Sequence, residues 1–217
     1  MINVSKSKNL TVKIAFMVAA TLGGTALIST SVFASLTASA ANVSGGSVNS
    51  GTLKLTQAPS GVAGITGGFS TAITNVAPGD TVNRYIELTN GGTLDGAVLT
   101  LATTATPGNA LTTDGTNGLQ VTVRECSVAW TNAGVCSGTT TTALASTSLL
   151  AMGVAKTLTM STLLSTSTNY LQFSINLPTG SENTINGAMP VGTVQGLTTA
   201  ITWNFLETLR TNTTTNS

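Results

Sequence analysis

Charged residues make up 7% and aromatics 4% of this 217-residue chain, against roughly 25% charged in an ordinary soluble domain. Lys6, Lys8 and Lys13 precede the one long apolar run, and beyond it five basic residues face seven acidic ones, so the basic footprint of a nucleic-acid binder is absent. No histidine is present, which excludes a His-based triad, a His general base and the usual His-containing zinc sites.

The first elements describe a destination. Three lysines without an acid, the apolar run Ile14 to Ile28 and then small residues form the three-part pattern of a secretory signal peptide. A membrane-spanning helix needs about 20 apolar residues, whereas this run has 15 and contains Gly23 and Gly24. The sequence therefore predicts a cleaved signal and contact with a membrane only before cleavage. Two positions satisfy the small-residue rule, between Ala34 and Ser35 and after Ala40. The exported remainder is large enough for one domain with a substantial core.

Beyond the signal, Thr, Ser, Gly, Val and Leu dominate short alternating stretches punctuated by Gly, Pro and Asn, the pattern of strands and turns. SGTLKLT (50–56) puts Leu53 and Leu55 on one face, and FSTAITNV (69–76) reads as a second strand. In APGD (77–80), Pro78 and Gly79 suit the centre of a type II turn. TVNRYIELTN (81–90) sets Val82, Ile86 and Leu88 against Asn83, Tyr85 and Glu87, with Arg84 interrupting the apolar side and expected at its rim. AVLTLAT, LQVTVREC and VAKTLTM follow as further strands. A short helix is expected near Ala143 to Met152. Two late strands are the most regular: Leu171, Phe173, Ile175 and Leu177 alternate in one, and Leu197, Thr199, Ile201, Trp203 and Phe205 in the other. This predicts an all-β fold, an antiparallel β-sandwich over 51–210, with jelly-roll and immunoglobulin-like winding both compatible with the periodicity. TNTTTNS (211–217) reads as a polar tail, and 35–50 as an uncharged N-terminal extended segment loosened by Gly45 and Gly46.

Chemistry-bearing motifs are sparse. Cys126 and Cys136 enclose nine residues, and in an exported chain they most simply form a local disulfide; a closed zinc site would need further Cys or His ligands. GxSxG, SxxK and P-loop motifs are missing. The seven acids lie singly, and Asp80, Asp95 and Asp114 occupy turns where capping their own backbone is the default role; calcium would require several to converge. Trp203 shares its phase with Ile201 and Phe205 and is expected in the core, while the exposure of Trp130 is left open. No cofactor or metal is expected.

The ordered set of VFAS at the end of the signal, SGTLKLT, NVAPGDTVNRYIELTNGGTLDGAVLTL and VQGLTTAITWNFLET resembles the TasA/camelysin family of secreted bacterial proteins. The resemblance implies a jelly-roll sandwich, cleavage between Ala34 and Ser35, and assembly into fibres of a biofilm matrix or cell surface. Some camelysin members are catalogued as metalloproteases; the absence of HExxH and of any histidine argues against carrying that activity over.

A fibre mechanism also follows from strand chemistry. An open sheet edge pairs with an extended segment of a neighbour through main-chain hydrogen bonds, with alternate side chains setting the register. Ser35 to Ser50 spans about 50 Å when extended and carries Leu36, Ala38 and Ala40 on one face, a candidate donor strand. The partners expected are further copies of the chain, joined head to tail, and other matrix proteins. The alternatives are a surface binding module for glycan or protein with an aromatic patch at Trp130, and, third, a camelysin-like protease.

Overall fold

The computed structural model describes residues 49–161, 163–180 and 187–214. The chain divides into two units, Met1–Ser50 and Gly51–Ser217. Among its described residues the second holds eight strands: β1 (Leu55–Pro59), β2 (Thr81–Asn90), β3 (Gly96–Thr106), β4 (Gln120–Cys126), β5 (Thr140–Ser148), β6 (Lys156–Leu158), β7 (Thr168–Asn176) and β8 (Ala200–Leu209). Two single-turn helices, α1 (Ala110–Thr113) and α2 (Leu149–Met152), lie in connections. One sheet has the order β1-β2-β7-β4-β5 and the other β6-β3-β8. Every named strand pair is antiparallel.

The two sheets form a sandwich because each strand spends alternate residues on a shared interior. Ile86 and Leu88 from β2, Val121 and Val123 from β4, and Leu171, Phe173 and Ile175 from β7 meet Leu99 and Leu101 from β3 and Leu158 from β6 in one buried cluster. Phe173 is the largest side chain fully enclosed there, and rings from a loop and from the opposite sheet close on it. Phe69 meets it edge-on at 5.0 Å, Trp203 at 5.3 Å and Phe205 at 6.1 Å.

Several expectations need correction. FSTAITNV is not a strand: Phe69–Val76 belongs to the β1–β2 connection, and Phe69 turns inward to stack on Trp203 at 4.7 Å. Much of SGTLKLT precedes β1 and pairs with a turn, since Thr52 O accepts from the amides of Thr93 and Leu94 and Lys54 O from that of Gly91. The helix expected near Ala143 to Met152 is confined to Leu149–Met152, because Thr140–Ser148 is the edge strand β5, paired to β4 through two register shifts. Ser148 caps α2 by accepting from the Ala151 amide. Arg84 does not reach the rim. The β1–β2 connection closes over it, and its guanidinium donates to the carbonyls of Thr71 and Asn83 while Nε has no partner among the described residues.

The Ala77–Asp80 turn forms as its sequence requires. Gly79 has φ +97, the Asp80 amide donates to Ala77 O, and the Asp80 carboxylate accepts from the Ala77 amide. Asp114 likewise accepts from the amides of Thr116 and Asn117 and from the Asn117 side chain, which holds its carboxyl below the ordinary value. Asp95 reaches across the fold instead, to the Ser165 amide.

Candidate functional site

The four sheet edges differ in how they are protected. β6 offers three residues, β5 is irregular in register, and β1 is short and ends in Pro59, all devices that discourage edge pairing. β8 has ten residues without proline or lysine, and among the described residues it has a strand neighbour, β3, on one side only. Its inward side chains Ile201, Trp203 and Phe205 pack on the core yet are only half-buried, whereas Leu99 and Leu101 of the adjacent strand are fully enclosed. Trp203 therefore joins the core as the alternation predicts, but at its open margin. Leu206 on the outer face is 63% exposed.

Glu207 is the one charge on β8 and was not singled out from the sequence, although it falls in the phase of Ile201, Trp203 and Phe205. It points inward, is 7% exposed, and among the described residues neither carboxylate oxygen has a hydrogen-bond partner. Burial pushes its carboxyl pKa up. Gly96 makes the room: a Cβ at that position would collide with the Glu207 carboxylate, and the β3–β8 register shifts between Gly96 and Val98. Beyond β8, Leu94, Leu209, Arg210, Asn212 and Thr213 line a shallow groove of about 280 Å³. The same end of the sandwich receives the entering chain, because Thr52 pairs with Thr93 and Leu94 while the Arg210 amide donates to Asp95 O.

A second buried carboxylate is fully satisfied. Glu125, in the inward phase of Val121 and Val123, accepts from the Asn169 side chain at 2.6 Å, the Ser161 hydroxyl at 2.8 Å and the Ser161 amide at 2.7 Å. This ties the segment after β6 to β4 and β7.

Cys126 and Cys136 form a disulfide with Cα atoms 5.7 Å apart. The loop they close lies on the outer face of the five-stranded sheet, where Tyr85, Cys126 and Trp130 make a small second core with Ile65, Cys136 and Tyr170. Trp130 is 5% exposed, its indole N–H donates to Tyr170 O, and its ring meets Tyr85 edge-on at 5.6 Å. The aromatic patch that a binding-module reading requires at Trp130 is thus covered. Ala34, Ser35, Leu36, Ala38 and Ala40 lie outside the described residues.

A family model described as Camelysin metallo-endopeptidase matches residues 9–177, more than half of the chain. The chain belongs to the camelysin family. No curated protein matches it. The matched span takes in the signal-like segment and β1 to β7, and ends before β8. The description implies a metal centre, which the donor set here does not fit. The chain has no histidine, and among the described residues no three Cys, Asp or Glu side chains converge on a point where an ion would sit. The buried carboxylates are differently employed, Glu125 in structural hydrogen bonds and Glu207 alone on β8. Among the described residues no helix is long and apolar enough to cross a membrane.

Proposed function

We propose that this camelysin-family chain is a secreted structural subunit of extracellular or cell-surface fibres in a biofilm matrix, in which the N-terminal segment Ser35–Ser50 of one copy adds a strand to the β8 edge of the next. The carrying observation is β8 itself: a ten-residue strand with one described neighbour, whose inward Ile201, Trp203 and Phe205 are half covered. Such an edge binds an extended segment by main-chain hydrogen bonds and seats alternate side chains against the core. Leu36, Ala38 and Ala40 supply an apolar face at the required period of two. Ordering each donor residue costs about 1–2 kcal/mol, more than an alanine side chain returns on burial, so the ladder bonds and the covering of Trp203 and Phe205 contribute most of the affinity.

Donor and acceptor are different surfaces, so the contact is heterologous, and where successive copies do not close a ring it extends head to tail as an open filament. Export through the signal over 1–34 supplies the compartment in which the Cys126–Cys136 disulfide persists. The test is Leu36→Asp in the secreted chain. Loss of filaments under negative stain, with the thermal unfolding of the monomer unchanged, supports the reading; undiminished filaments reject it.

The family description favours a second reading, a metallo-endopeptidase. It requires proteolysis of a denatured protein substrate by the purified chain that chelator abolishes and added zinc restores. The structural reading expects none.

A further inference from the structure

On the reading of β8 as an acceptor edge, we propose that Glu207 is an ammonium-binding subsite that receives the free α-amino group of Ser35 from a second copy of the chain. Every named strand pair in the fold is antiparallel, and a strand joining β8 in the same sense brings its first residues beside the end of β8. The proposed register seats the apolar donor side chains on the inner row. With Leu36 opposite Phe205, Ala38 lies opposite Trp203 and Ala40 opposite Ile201, so that all three apolar donor side chains fall on the inner side, the small Ala38 facing the large Trp203. Counting one step further along the same antiparallel ladder, residue 35 lies opposite Leu206 and residue 34 would lie opposite Glu207. The main-chain nitrogen of Ser35 then arrives beside residue 207 on the open side of β8, and the Glu207 side chain, which lies inward against Gly96, turns toward it to make the contact.

Among the described residues the Glu207 carboxylate has no cation beside it. It is more than nine-tenths buried, both oxygens are unpartnered, and Gly96 leaves it the space a side chain would occupy. The charged side chains nearest in sequence are committed elsewhere. Asp95 accepts from the Ser165 amide, and the Arg210 guanidinium donates to Thr211 O and Thr213 Oγ1. The donor segment Ser35–Ser50 contains no lysine or arginine, so the only cation it brings is its own terminus, and that terminus exists only after cleavage between Ala34 and Ser35. In the uncut chain the same nitrogen is an uncharged amide followed by the signal.

An inward charge on an edge strand repels an ordinary incoming strand, which leaves the charge buried and unpaired. A strand that begins with an ammonium satisfies it with a charge-assisted hydrogen bond. Glu207 thus discriminates between strands, admitting the processed terminus of this chain over other extended segments, and assembly waits on processing.

The experiment uses the secreted, processed chain, whose N-terminal residue is first established by mass. One equivalent of periodate converts an N-terminal serine to an uncharged glyoxylyl group and leaves the fold intact. The expected result is a rise of about tenfold or more in the concentration needed for filaments, the scale of one lost charge-assisted bond. No further rise is expected when the same oxidation is applied to Glu207→Gln, because the two changes remove one interaction. The proposal is overturned if the mature chain starts at a residue other than Ser35, if oxidation leaves the filament threshold unchanged, or if its effect persists undiminished in Glu207→Gln. Leu36→Asp separates the two levels: filaments lost in Leu36→Asp but insensitive to oxidation retain the donor strand and reject the subsite, whereas filaments insensitive to both reject the donor strand as well.

Discussion

The Glu207 carboxylate lies against Gly96, in a recess that exists because position 96 has no Cβ. Strand β8 is thereby able to bury an unpaired acid at an open margin of the sandwich. Gly96→Ala forces that carboxylate aside at a bulged position of the ladder, and a loss of about 1–3 kcal/mol is expected. Urea unfolding monitored by tryptophan fluorescence measures it, and the double variant Gly96→Ala/Glu207→Ala recovers most of the loss.

Glu207 also gives stability a definite pH dependence. Desolvation raises its folded pKa, so between the ordinary glutamate value and the raised one the folded chain holds a proton that the unfolded chain has released. Stability is therefore greatest below that interval and declines as pH rises through it. Glu207→Gln removes this decline and is more stable than the parent at neutral pH. Melting temperatures of the two chains between pH 4 and 8 are expected to diverge upward in pH; parallel curves contradict the assignment.

Glu125 is the opposite case. Its carboxylate satisfies Asn169 and both donors of Ser161, and Glu125→Ala strands those groups in the interior. A loss of about 3 kcal/mol is expected, in the range for breaking a buried hydrogen-bonded charge. Chemical denaturation checks it, and amide exchange is expected to accelerate first at Ser161.

The disulfide loop holds Trp130 beneath the surface. Replacing both Cys126 and Cys136 by alanine is expected to cost about 2–3 kcal/mol by the loop-entropy estimate. Loosening of the loop also exposes Trp130, visible as a red shift in emission that a Trp130→Phe background abolishes.

Much of the sandwich was legible because period-two alternation is a direct image of burial on one face. TVNRYIELTN coincides with β2, and the strands of Phe173 and Trp203 differ from the observed ones by two or three residues at their ends. Failures came where a residue's role is set by a distant partner. Phe69–Val76 alternates like a strand, but its backbone finds no ladder and Phe69 is drawn in by Trp203. TTTALASTS shows little apolar contrast, and β5 is a strand because β4 offers it an edge. Trp130 could not be placed because its cover depends on a disulfide loop folding onto Tyr85. In the candidate site, the alternation of β8 was readable, while the isolation of Glu207 depends on Gly96, over a hundred residues earlier, and was not.

In the proposed fibre, β8 of one copy is completed by the N-terminal segment of another in the register Leu36 to Phe205. Cross-linking measures it directly: secreted Leu36→Cys chain is mixed with secreted Phe205→Cys chain, allowed to assemble, and oxidised gently. The account predicts a disulfide between the two variants in the mixture, confirmed by mass after digestion, and none when either is oxidised alone. Filaments that form without this cross-link, or a mixture that stays monomeric at high concentration, would contradict it.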